Sequence, residues 1–173
     1  MKEQVRLIDQ YWLYFGLAAS IIFAILISLG FYGFGHDYYV IYSAPNVWWG
    51  GVFDRLGWMT ATLNIGGLKA GLFVTSFLLG SSLLSLLSSY NMPFRGINGI
   101  LLLMAFILLL HCWPIIMSTS NGMRQGLSMS IIFFALACFE RHRTFLGVAF
   151  ALLSIFFHKS GLFFCSCVLL GYF

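Results

Sequence analysis

The stretch that decides the fold is Gly99 to Met117, GILLLMAFILLLHCWPIIM. It carries no Asp, Glu, Lys or Arg, and its Leu, Ile, Met and Phe follow one another without alternation. A half-exposed strand or a barrel strand would alternate apolar and polar positions, so an unbroken run of this kind reads as helix. A helix rises 1.5 Å per residue, and about 20 apolar residues cross ~30 Å of hydrocarbon. This run is therefore a membrane span, broken near its far end by Pro114, which lacks an N–H and clashes with the preceding turn.

The rest of the chain has the same character. Of 173 residues, 61% are hydrophobic and 8% charged, and the mean hydropathy is +0.94. A soluble domain carries roughly 25% charged residues. Nine Lys and Arg with five Asp and Glu cannot dress a water-soluble body of this size. An ordinary cytosolic enzyme, a disordered chain and a secreted disulfide scaffold are excluded. The net charge of +4 is dispersed as single residues, with no basic block to meet nucleic acid. The expected fold is all-α, a polytopic transmembrane helical bundle of about five to six spans in one domain covering 1–173.

Working outward, the first span lies between Asp9 and His36, with its core at Leu13 to Phe31. Lys2 and Arg6 precede it as in a signal peptide, but the apolar run is too long for that and no small-x-small cleavage site follows, so it reads as a retained anchor. The second span is Gly71 to Ser89, between Lys69 and Arg95. Ser81, Ser85 and Ser89 recur every four residues on one face, which allows close helix packing. The fourth runs from Gly122 to Phe139 behind Ser118-Thr119-Ser120-Asn121, a cluster of residue types that cap helix N-termini. After the turn Glu140-Arg141-His142-Arg143 comes Thr144 to Phe157, then His158-Lys159-Ser160, then Gly161 to Phe173.

Lys and Arg in the loops set orientation. An inside N-terminus puts Lys2, Arg6, Arg95, Arg141 and Arg143 within, and Arg55, Lys69, Arg124 and Lys159 outside. The margin is one residue, and the pair at 141 and 143 in a very short loop favours this orientation. Residues 33–67 then form an external loop. Trp49, Phe53, Leu56, Thr60 and Leu63 fall there at helical spacing, so an interfacial helix fits, as does a simple aromatic belt. Cys112, Cys138, Cys165 and Cys167 lie in apolar runs and read as small buried hydrophobes; Cys165-Ser-Cys167 has neither redox nor zinc spacing.

Chemistry has to come from polar residues near membrane depth, which are costly unless they pair or line a site. Arg124 opens the fourth span. It reads either as part of an anion site, since a helix N-terminus offers free N–H groups and a guanidinium forks onto phosphate oxygens, or as a snorkelling arginine beside a Gly122-xxx-Gly126-xxx-Ser130 packing face. The run Thr144 to Phe157 covers only about 21 Å, so His158-Lys159-Ser160 either interrupts a span at depth or forms a tight outer loop. Gly35-His36-Asp37-Tyr38-Tyr39 puts an acid and ring hydroxyls just outside the first span: Asp37 is a candidate base, or a solvated loop acid. His111, three residues before Pro114, reads as bonded to a carbonyl at the kink sooner than as catalytic.

Asn121-Gly122-Met123-Arg124-Gln125-Gly126-Leu127, followed by Phe157-His158-Lys159-Ser160-Gly161 and preceded by Gly35-His36-Asp37-Tyr38, resembles the EpsG family of bacterial membrane proteins related to Wzy-type O-antigen polymerases. The resemblance covers Phe31 to Phe164. It implies a GT-C-like fold in the bacterial inner membrane. The implied activity is a glycosyltransferase that polymerises oligosaccharide repeat units carried on undecaprenyl pyrophosphate, with no cofactor and no metal. It implies Asp37, His158 and Arg124 as catalytic residues, and Arg124, Gln125, Tyr38 and Ser160 as substrate contacts. Arg55 and Lys159 join these from charge placement alone. The implied partners are the lipid-linked oligosaccharide and membrane lipids, with a chain-length regulator and a flippase as possible protein partners. Family members are longer, so the chain is expected to be the N-terminal part of a polymerase. The alternatives are a non-catalytic carrier-binding or transport component and an inactive gene fragment.

Overall fold

The computed structural model describes residues 2–33, 58–90, 97–120, 122–158 and 160–172. Among them, seven helices and no strands are present: α1 (Lys2–Ser28), α2 (Trp58–Ser89), α3 (Ile97–Leu110), α4 (Trp113–Ser120), α5 (Met123–Glu140), α6 (Thr144–Ser154) and α7 (Ser160–Tyr172). Two helical segments are long and apolar enough to cross a membrane, Tyr11–Ser28 in α1 and Lys69–Ser89 in α2. The pair α3–α4, bent by 55° at the break, makes a third if it is one span. The described residues are thus all-helical and of membrane character.

α1 ends through its backbone. Gly30 takes a left-handed φ of 76°, its N–H donates to the Ile27 carbonyl, and the Phe31 N–H reaches back to Leu26. This pattern satisfies carbonyls that the last turn leaves orphaned. α1 runs antiparallel to α2, because Gly16 lies under Leu84 and Ser20 lies against Gly80. That crossing passes over Gly80 and Leu84, one position before the expected serine line. Ser85 on that line instead receives Arg141. α2 begins at Trp58, so Thr60 and Leu63 belong to the same continuous helix as the second span. Residues 34–57, which hold the rest of the expected interfacial pattern, lie outside the described residues.

The break expected near Pro114 falls at His111 and Cys112. Proline at the second position of α4 forgoes a hydrogen bond that the first turn does not need. His111 Nδ1 bonds the Ile107 carbonyl at 2.8 Å, while the backbone N–H of His111 reaches the same carbonyl at 3.3 Å. The imidazole thus serves the loosened turn, as read from the sequence. The ring sits edge-on between Phe23 and Tyr32, with centroids 5.8 and 5.7 Å away. Burial pushes the Tyr32 phenol above its ordinary range.

Of the cap expected before α5, Ser118 and Thr119 take no part. The first residue before α5 is Gly122, with no side-chain cap bond. Ser118 and Thr119 belong to α4, and the Thr119 hydroxyl donates to the Ile115 and Ile116 carbonyls of its own turn. Cap propensity lost here because the α4 ladder offers the same hydroxyl a carbonyl one turn back. Asn121 lies outside the described residues. The cysteine expectation also needs correcting: Cys165 is buried, Cys112 and Cys138 half-buried, and Cys167 exposed, all of them free.

α2 and α5 run parallel. Thr75, past the middle of α2, lies by Gly126 near the start of α5, and Arg141, just past α5, bonds the Ser85 hydroxyl, the Ser85 carbonyl and the Ser88 hydroxyl at 3.1, 3.0 and 2.9 Å. α6 then returns antiparallel to α5, with Gly147 against the Phe139 ring and Ser154 bonded by Ser128. α7 reverses again. It starts at Gly161 against Ser154 and Ser128, and ends with Tyr172 stacked on Phe139 at 4.2 Å. The bundle therefore has an Arg124 end and an Arg141 end.

Candidate functional site

The site is built on two tight contacts at the Arg124 end. Four positions into α5 from Arg124, on the same face, the Ser128 hydroxyl donates to the Ser154 carbonyl at 3.1 Å. Ser154 is the last residue of α6, where the ladder tightens: the N–H groups of Ile155, Phe156 and Phe157 each donate three residues back. The chain then turns through His158 into α7. The approach is close because Gly161 has no side chain. A Cβ there would stand 2.3 Å from the Ser154 carbonyl oxygen and 2.7 Å from Ser128 Oγ. Gly126 does the same for α4, where a Cβ would stand 2.2 Å from the Ser118 carbonyl oxygen. Two glycines thus let α4, α5 and the α6–α7 hairpin converge beside the first turn of α5.

Depth follows from helix arithmetic. Ser128 lies five residues beyond Met123, about 7 Å down α5. α6 and α7 have 11 and 13 residues, about 17 and 20 Å of helix. α6 leaves from the Arg141 end and α7 returns to it, so the turn between them packs against the second turn of α5 at Ser128. α6 ends at Ser154 and α7 begins at Ser160, with His158 in the turn between them; Lys159 lies outside the described residues.

At that turn, His158 Nδ1 lies 2.7 Å from Ser160 Oγ, and the Ser160 backbone N–H donates to Nδ1 at 3.2 Å. The Gly161 N–H donates to the His158 carbonyl at 2.8 Å. His158 therefore caps α7 with both ring and backbone. Arg124 is half-buried and its Nε is fully enclosed. Gln125 is exposed, and its amide oxygen folds back beside Gly122. The first amides of α5, behind an uncapped Gly122, face the same end. This collection of guanidinium and helix-start N–H groups favours a negative charge.

The structure thus brings Arg124, His158 and Ser160 to one end of the bundle. Asp37, Tyr38, Arg55 and Lys159 lie outside the described residues. Ser128, Ser154, Gly126 and Gly161 hold the site together, and sequence reading passed over the two serines. Their signal was spacing: Ser128 is four after Arg124 and Ser154 four before His158. Among the described residues no three His, Cys, Asp or Glu lie close enough to hold a metal ion. Comparison with protein-family models, with curated proteins and with solved structures finds no match.

Proposed function

We propose that the chain is a multi-pass protein of the bacterial inner membrane, with five to six spans and a GT-C-like arrangement. In this reading it polymerises oligosaccharide repeat units carried on undecaprenyl pyrophosphate. Arg124 and the first amides of α5 hold the pyrophosphate at the outer interface, and the turn at His158 closes the site from below. The observation that carries the reading is the Ser128–Ser154 hydrogen bond. It couples the helix bearing the Arg-Gln element to the hairpin bearing the His-x-Ser element, the two motifs whose pairing underlies the resemblance to the EpsG family. Asp37 is the proposed base for the acceptor hydroxyl, and Tyr38, Arg55 and Lys159 are proposed sugar or phosphate contacts.

The test is a host strain whose glycan ladder depends on this chain. Arg124→Ala removes a charge-assisted contact to the departing pyrophosphate, worth about 3 kcal/mol or ~100-fold in rate. The ladder should collapse to single units while protein in the membrane fraction stays normal. Arg124→Lys should recover only part, because an ammonium cannot fork onto two oxygens. A full-length ladder from Arg124→Ala at normal protein level would overturn the proposal. Retained binding of the lipid carrier, with no polymer formed by the wild-type chain, would instead favour a carrier-binding or transport component.

A further inference from the structure

We propose that the turn between α5 and α6 binds the headgroup of an anionic phospholipid through Arg141 and Arg143, with an acyl chain of that lipid lying on the exposed face of α6. The inference concerns the end of the bundle opposite Arg124 and stands apart from the polymerase reading.

The level of the turn comes from the helices that end there. α5 has 18 residues, about 27 Å of helix, close to the ~30 Å of hydrocarbon that a span must cross. Arg141 directly follows it and bonds Ser85 and Ser88, near the end of the apolar segment Lys69–Ser89. Two apolar helices thus end at one level, where lipid headgroups begin. The turn Glu140-Arg141-His142-Arg143 lies there, exposed at all four positions.

The positive charge of the turn is not cancelled from within the protein. Among the described residues neither arginine is ion-paired, and nor is Glu140, the acid in the same turn. Arg141 is fixed by neutral oxygens alone, two serine hydroxyls and a carbonyl. Those bonds use three of the five N–H groups of a guanidinium and hold its position while leaving its charge intact. Arg143 follows two residues later, and its side chain does not cap α6. A fixed guanidinium with a second one two residues on suits a phosphodiester, whose oxygens match the guanidinium fork.

The surface next to these cations selects a lipid over a soluble anion. Phe145, Ala149 and Leu152 stand at i, i+4 and i+7 of α6 and so share one face. All three are exposed, Phe145 at 84%. The buried residues of α6 are Gly147, Ala151 and Ser154. An apolar stripe therefore starts just past Arg143 and runs along the helix away from the headgroups. A soluble phosphate would use the arginines and leave the stripe uncovered. A phospholipid uses both, with its headgroup on the turn and a chain on the stripe. Two cations opposed by one acid favour a lipid of net negative charge over a zwitterionic one, by about fivefold for each basic residue at the surface.

The test is a competition on the full-length protein in detergent. Phosphatidylglycerol and phosphatidylcholine with the same acyl chains are offered in equal amounts, and native mass spectrometry reads which is bound. Wild type should carry phosphatidylglycerol in about 10-fold excess, the worth of two basic residues opposed by one acid. Arg143→Gln should lower the excess about fivefold, and Arg143→Lys, which keeps the charge, should stay within about twofold of wild type. Changing Arg141 to Gln as well should remove the excess. Should that double variant fail to fold, the two Arg143 variants decide the matter, since that side chain makes no cap bond whose loss would unseat α6. Arg124→Ala should keep the excess. Inorganic phosphate added at matched ionic strength should leave the lipid bound. The proposal is overturned by an absence of excess in wild type, or by an excess that Arg143→Gln leaves unchanged. It is equally overturned if the excess is lost in Arg124→Ala but kept in the double variant, or if inorganic phosphate displaces the lipid, which would mark a site for soluble anions.

Discussion

Replacing Gly161 by Ala tests whether the hairpin turn is seated where the structure puts it. The new Cβ would lie 2.3 Å from the Ser154 oxygen, 2.6 Å from the Ser154 carbonyl carbon and 2.7 Å from Ser128 Oγ, when real Cβ atoms do not come within 3.0 Å. Two of those three atoms are backbone and cannot rotate away. The start of α7 must back off by about 1 Å, and the 3.1 Å bond from Ser128 to Ser154 stretches past bonding range. Overpacking of this kind costs about 1–3 kcal/mol, and a buried hydrogen bond about 1 kcal/mol more. The control is Gly171→Ala on the same helix, where nothing lies within 4 Å of the added carbon. There the gain in helix propensity should leave stability unchanged or raised by a few tenths of a kcal/mol. Unfolding in mixed micelles titrated with denaturing detergent, followed by helical circular dichroism, should separate the two variants by about 2–4 kcal/mol. Polymer length should fall with Gly161→Ala even at normal protein level, since a 1 Å displacement of a catalytic group costs about 100-fold. If both variants unfold at the same detergent fraction, α7 does not sit against Ser128 and Ser154, and the argument for the site goes with it.

Arg141→Ala should cost about 1 kcal/mol in the same assay, a value kept low because the side chain is exposed although it makes three hydrogen bonds to Ser85 and Ser88. His142 holds a left-handed φ of 57° where the Arg143 N–H returns to Cys138, a place that favours glycine; His142→Gly should therefore raise stability by about 0.5–1 kcal/mol, read as a higher detergent midpoint. Cysteines placed at Glu140 and Gln125 should label from opposite faces of oriented vesicles, Glu140 from the side of the N-terminus. Labelling of both from one face would refute the orientation.

The two helical segments long and apolar enough to cross a membrane, Tyr11–Ser28 and Lys69–Ser89, were legible because they rest on runs of apolar residues, and the break near Pro114 because proline's missing N–H acts locally. Where the reading failed, a second partner decided. Ser118 and Thr119 have the chemistry of a cap, yet α4 extends through them and takes the Thr119 hydroxyl for its own carbonyls. Thr60 and Leu63 keep the spacing of an interfacial helix, yet they belong to one helix that continues, through Gly66 and Gly67 and with no proline to break it, into the segment Lys69–Ser89. At the site, Arg124 and the His-x-Ser turn stand out as polar residues in apolar surroundings. Ser128, Ser154 and Gly161 do not, since a serine that bonds a carbonyl and a glycine that admits one look like any small residue of a membrane helix.

The shortness of α6 and α7 gains meaning from where they start. Taken alone, 11 and 13 apolar residues are two failed spans. Joined through a turn, with Tyr172 donating to the Phe139 carbonyl at 3.2 Å beside the point where α6 departs, they form a hairpin that enters and leaves from the Arg141 end. Its first residues follow a turn whose His142 and Arg143 N–H groups close α5 onto the Phe139 and Cys138 carbonyls, so the base of the hairpin is anchored to α5 at both strands. Its tip is anchored to the same helix by Ser128. A turn fastened at base and tip to one helix cannot slide along it, and its height relative to Arg124 is set by the 11 residues of α6. Helix length, the one quantity that looked anomalous in the sequence, is then what fixes the distance between the arginine and the imidazole.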